Sequence, residues 1–132
     1  MGALVRVAAV LTGTLLRMDA RDLYRRWIDE LWNGRLDVVG ELVAEDFVGH
    51  WPDRDVHGPQ ELAGLIGETH GMLDVLTFVI EVGPLVDGDL VAGRWRGRGA
   101  QDGNPVTFVG NDLLRVSDGR FAEYWPASLP LP

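Results

Sequence analysis

The stretch GNDLLRVSDGRFAEYW, residues 110–125, reads as two strands joined at Asp118-Gly119, a dipeptide suited to the tight turn of a β-hairpin. Side-chain alternation along the first strand puts Phe108, Gly110, Asp112, Leu114 and Val116 on one face, and Thr107, Val109, Asn111, Leu113 and Arg115 on the other. The first set is the more apolar, and Asp112 stands in its middle. An acid facing an apolar interior is costly. Its charged form is disfavoured, so its pKa rises toward the range useful for proton transfer. The alternative is a buried aspartate satisfied by Arg, Trp or backbone donors with no chemistry. Two registers are open at this hairpin, a plain two-residue turn or a turn with a glycine bulge. They bring either Trp125 or Tyr124 beside Asp112.

Working outward, strands are expected in LDVLTFVIEV (73–82), LVAGRWRGR (90–98), VTFVGNDLLRV (106–116) and RFAEYW (120–125), bounded by Gly-Pro, Asp-Gly-Asp, Asp-Gly-Asn-Pro and Asp-Gly turns. Before them the spacing is helical. Leu23, Trp27 and Leu31, with Tyr24 and Ile28 beside them, predict a helix capped by Asp19 and stopped by Asn33-Gly34. A second, short helix is expected in LDVVGELVAEDF (36–47), then a short strand in FVGHWP. A third opens at Pro59 and buries Leu62, Leu65, Ile66 and Leu73. Helices first and an antiparallel meander afterwards make an α+β fold.

At 132 residues the chain suits one compact domain, expected over 18–132. Residues 1–17 read as a disordered or loosely docked extension, because Arg6 interrupts their short apolar run and no small-residue cleavage site follows. A formal net charge of -8 with scattered arginines disfavours nucleic acid and anionic membrane surfaces. There is no cysteine, which removes disulfides and thiol chemistry and fits a cytoplasmic location. Neither a paired-histidine metal motif nor a Gly-rich phosphate loop is present.

The run LWNGRLDVVGELVAEDFVGHWP, the Gly58-Pro59-Gln60-Glu61-Leu62 entry to the third helix, VAGRW, and above all GNDLLRVSDGRFAEYW resemble the SnoaL-like polyketide cyclases of the nuclear transport factor 2-like superfamily. The likeness spans most of the chain. It implies a strongly curved, mostly antiparallel sheet wrapped around N-terminal helices as a cone, a homodimer, and a pocket for a small apolar or polyketide-like carbonyl ligand. It further implies cofactor-independent aldol-type closure or enolisation, with the aspartate of G-x-D-x-x-R, here Asp112, as general acid/base.

The chain departs from that pattern twice. Gln101 stands where the family often carries a histidine, and Tyr124 replaces the histidine of E-H-W. Gln101 can orient a carbonyl but cannot exchange protons. His50 is the candidate to compensate, and His57 and His70 have weaker claims. Trp27, Trp51, Trp95 and Trp125 are candidates for an aromatic wall, with Tyr24 one turn before Trp27. Arg94, Arg96 and Arg98 alternate onto one strand face as a salt-bridged surface. A rival reading is a non-catalytic module of the same fold that binds a small ligand or dimerises. An epoxide hydrolase is disfavoured because Arg94-Trp95-Arg96 lacks the acid such enzymes carry there.

Overall fold

The computed structural model describes residues 18–132; the expected extension over 1–17 lies outside the described residues. Asp19 caps the first helix by accepting the Asp22 N–H at 2.8 Å. That helix, α1 (Ala20–Arg26), continues as a π-helical segment, Trp27–Trp32. Its buried residues come in pairs, Leu23 and Tyr24, Trp27 and Ile28, Leu31 and Trp32. A repeat of four suits the wider π turn, which keeps all three pairs on one face. Asn33-Gly34 ends the segment as the sequence predicts. The Asn33 side chain then does more than stop a helix, because it donates to Phe78 O at 3.0 Å and accepts from Phe78 N at 2.7 Å.

The second helix is shorter than its sequence pattern suggests. A 3-10 turn (Leu36–Val38) and α2 (Val39–Leu42) give way to strand β1 (Val43–His50). Strand β1 runs parallel to β6 (Arg120–Pro130), with Val43 opposite Phe121 and Gly49 opposite Tyr124. That pairing, formed far along the chain, overrides local helical preference after Leu42. His57 ends a short edge strand, β2 (Asp55–His57), antiparallel to β1. Helix α3 (Gly58–Met72) starts with Pro59 in its first turn and sends Leu62 and Ile66 into the core. Leu65 is only half-buried, and Leu73 lies just beyond the helix.

The meander is longer than expected: β3 (Asp74–Asp87), β4 (Leu90–Gln101), β5 (Asn104–Ser117) and β6. Gly83-Pro84 does not end β3; the register shifts between Val82 and Leu85 and the strand continues. Proline is tolerated there because β3 is a sheet edge. The six strands form one curved, unclosed sheet in the order β2-β1-β6-β5-β4-β3, antiparallel except at β1 and β6. Its inner face packs on α1, the π segment and α3. The expected α+β architecture is therefore present.

Both alternatives for the 117–120 hairpin contain part of the answer. Ser117 pairs with Arg120 across a two-residue turn in which Asp118 and Gly119 have φ of 51° and 75°. The register then slips: Val116 faces Phe121, but Arg115 faces Glu123, so Ala122 is an extra residue in β6. Leu114 consequently pairs with Tyr124 and Leu113 with Trp125. Tyr124 joins Asp112 on the inner face, and Trp125 points outward.

Candidate active site

Asp112 is 4% exposed and is the one charged residue in the buried set of the described residues. Three side chains donate to it. The Tyr124 hydroxyl (2.6 Å) and Trp95 Nε1 (3.0 Å) meet Oδ1, and the Tyr24 hydroxyl (3.0 Å) meets Oδ2. They come from β6, β4 and α1, so one carboxyl ties the helix to two strands. Gly93, which pairs with Asp112 on β4, makes the helix contact possible. A Cβ at residue 93 would lie 2.5 Å from two Tyr24 ring carbons, closer than packed atoms allow.

Among the described residues no arginine, lysine or histidine bonds to Asp112, and its hydrogen-bond donors are all neutral. Burial pushes its pKa up, against the opposing pull of Tyr124, Trp95, Tyr24 and Trp27, in that order. Both phenols are also pushed upward, first by burial and then by the Asp112 charge. The Trp27 N–H favours the ionised carboxylate without forming a hydrogen bond. Trp27 Nε1 and Trp32 Nε1 are buried and without a hydrogen-bond partner among the described residues.

Next to this cluster lies a cavity of about 150 Å³. Trp32, Trp51, Phe78, Trp95, Phe108 and Tyr124 give it an aromatic wall. Thr69 and Ser128 add hydroxyls. Asp112 itself does not line it; Tyr124 and Trp95 stand between. Edge-to-face contacts fix the rings, with Trp51 on Tyr124 at 5.3 Å and Trp95 on Phe108 at 5.5 Å.

Of the residues singled out from sequence, Asp112, Tyr24, Trp95 and Tyr124 are brought together, and Trp51 joins them at the cavity. Trp27 is fully buried behind Tyr124, in edge contact at 5.0 Å. His50 is not brought to Asp112. Its parity on β1 is opposite to that of the buried Phe47 and Gly49, and it sits between Glu123 (2.9 Å) and Asp55 (3.4 Å), stacked on Trp125. Those carboxylates, Glu123 first, raise its pKa. Trp125 shares that outer face, with Arg115 5.8 Å above its ring. Gln101 is exposed at the β4–β5 hairpin, opposite Asn104. Arg94 and Arg96 both pair with Glu81, as a solvated surface should.

Trp32, Phe78 and Phe108 are the aromatic cavity residues that the sequence did not single out as site candidates, and the hydroxyl-bearing Thr69 and Ser128 were not singled out either. A signal existed: Gly97 pairs with both Phe78 and Phe108, so two rings flank a residue without a side chain. Among the described residues no group of three His, Asp or Glu is placed to hold a metal ion, and no helix is long and apolar enough to cross a membrane.

The model of a family described as a SnoaL-like domain matches residues 24–124. No curated protein matches the chain. Among solved structures, a candidate SnoaL-like polyketide cyclase from Jannaschia sp. CCS1 is 24% identical over 81% of this chain and 83% of its own, with a TM-score of 0.73. IdmH, a candidate polyketide cyclase from Streptomyces antibioticus, is 26% identical over 74% and 83%, at 0.64. A protein of ketosteroid isomerase-like fold from Catenulispora acidiphila DSM 44928, in complex with trimethylamine, is 19% identical over 83% and 86%, at 0.71.

Proposed function

Because the chain belongs to the SnoaL-like domain family, we propose that it is a cofactor-independent cyclase or isomerase acting on a carbonyl-rich small molecule, with Asp112 as its general acid/base. The observation that carries this reading is a buried acid, without a cationic partner among the described residues, one side chain away from an aromatic cavity. Aldol closure and enolisation both need a proton removed beside a carbonyl and a proton returned to oxygen as charge collects there. A carboxyl whose pKa is raised by burial keeps its proton to higher pH than an exposed aspartate does, which suits it to this exchange. The aromatic wall orients a planar ligand and excludes water from the charge that develops. The likeness to IdmH supports the same class of reaction.

Carbon-detected NMR titration of the Asp112 carboxyl, assigned with Asp112→Asn, tests the first half of this reading. Deuterium exchange into small 1,3-dicarbonyl compounds tests the second. The expected result is a carboxyl titrating well above the ordinary aspartate value of about 3.9, with exchange lost in Asp112→Asn. A carboxyl at or below that value would overturn the mechanism. The occupied oxygens of Asp112 and its position behind Tyr124 favour, as the second reading, a binding module. In that case the titration would be elevated but no probe would exchange.

The same family reading implies a homodimer. Val82, Leu85, Leu113 and Leu129 are 54%, 64%, 41% and 61% exposed, and Leu85, Ala92, Leu113 and Trp125 form one row across the outer face. A second copy of this chain is the partner we assign to that face.

A further inference from the structure

Tyr124 and Trp95 both bond Asp112 Oδ1 and both line the cavity, whereas Asp112 does not. Of the two, only the phenol can donate and accept. The direction of its bond to Asp112 follows the carboxyl proton. With Asp112 ionised, the Tyr124 hydrogen is committed to Oδ1, and an oxygen lone pair is what the phenol offers a ligand. With Asp112 protonated, the carboxyl O–H can donate to Tyr124 Oη, which frees the phenol hydrogen for the cavity. A separation of 2.6 Å suits either direction.

The rest of the cavity limits what can meet that hydroxyl. A void of about 150 Å³ matches, in an apolar core, one that accepts a benzene ring. Among the described residues no charged side chain lines it, so a charged ligand would enter without a counter-charge from them. Thr69 Oγ1 already donates to Leu65 O at 2.9 Å.

We propose that the cavity takes a neutral, single-ring ligand bearing an enol or phenol oxygen, and that the Tyr124 hydroxyl relays a proton between this oxygen and Asp112. The proposal rests on the reading of Asp112 as the proton-exchanging group. In one direction the ligand O–H bond breaks and its proton bonds to Tyr124 Oη, while the original Tyr124 O–H bond breaks and that proton bonds to Asp112 Oδ1. The products are an enolate or phenolate and a neutral carboxylic acid, with Tyr124 neutral at both ends. The reverse path returns the proton to the ligand oxygen. The groups that face Asp112 are Tyr24 from α1, Trp27 from the π segment, Trp95 from β4 and Tyr124 from β6. None is charged, so the pH response of the relay is that of Asp112 itself.

The test is binding of 4-fluorophenol to the full chain, followed by fluorine NMR of the ligand across pH, in the wild type, Tyr124→Phe and Tyr24→Phe. The wild type is expected to bind with an affinity that changes where Asp112 titrates. Tyr124→Phe should bind about tenfold more weakly, the worth of one hydrogen bond, and without that pH dependence, while its Asp112 carboxyl still titrates above the ordinary range. Tyr24→Phe should keep the pH dependence. An unchanged affinity and profile in Tyr124→Phe, or no binding by the wild type, overturns the relay. An ordinary Asp112 titration in the ligand-free wild type instead overturns the underlying acid/base reading. Should Tyr124→Phe not fold, replacement of the chain's two tyrosines by 3-fluorotyrosine preserves their shape. A phenol-induced shift confined to the Tyr124 resonance supports the relay, and a shift absent there overturns it.

Discussion

Asp112 is opposed in its charged form by burial and helped only by neutral donors, which gives its titration a definite sign in stability. Its folded pKa lies above the unfolded value of about 3.9. The stability it contributes is complete below that value and is lost as pH rises through the raised folded pKa. Urea unfolding across pH should therefore show Asp112→Asn gaining on the wild type as pH increases through that window, even as proton exchange disappears. His50 has the more familiar sign on the other face of the sheet. Glu123 and Asp55 raise its pKa above about 6.5, so its contribution is whole below that value and fades as pH rises through the folded one. Thermal melts of His50→Gln should fall short of the wild type at mildly acidic pH and converge with it at alkaline pH, with the Asp112 titration unmoved. Strand parity picked out Asp112 from the sequence, and the G-x-D-x-x-R resemblance selected it independently. Its donor Tyr24 was not legible as such, because 88 residues separate the two and no local period links them.

At the scale of elements, α1 and α3 were readable because their apolar spacing, Asp19 cap and Pro59 start all agree. Strand β1 was misread over Val43–Phe47 because its partner is β6, and no local pattern announces a parallel pairing across that distance. The bulge at Ala122 was equally silent: alanine suits a regular strand, and only the packing of Tyr124 under Trp27 and Trp51 shows which register prevails. Asn33, predicted merely to stop a helix, saturates both backbone groups of Phe78 on edge strand β3. Removing it leaves a part-buried N–H and C=O unpaired. Asn33→Ala should cost about 1–3 kcal/mol in chemical denaturation, and amide exchange should accelerate at Phe78 ahead of the central strands.

For the whole molecule, the curved sheet has two unlike faces. The inner one holds the aromatic cavity, and the outer one carries exposed Val82, Leu85, Leu113 and Leu129 beside the Arg94–Glu81–Arg96 ion pairs. Leu113 lies in the central row of that outer face. Leu113→Glu should convert a dimer to a monomer in light scattering after size exclusion, without shifting the Asp112 titration, whereas a wild type already monomeric would remove the assigned interface. The three donors around Asp112 come from the first helix, a middle strand and the last strand, so the carboxyl cannot acquire its environment piecemeal. A hairpin of β4 and β5 without β6 lacks Tyr124, one of the three donors to Asp112 and the ring that covers it on the cavity side. The surroundings that raise the pKa of this carboxyl are therefore completed only when β6 pairs with β5.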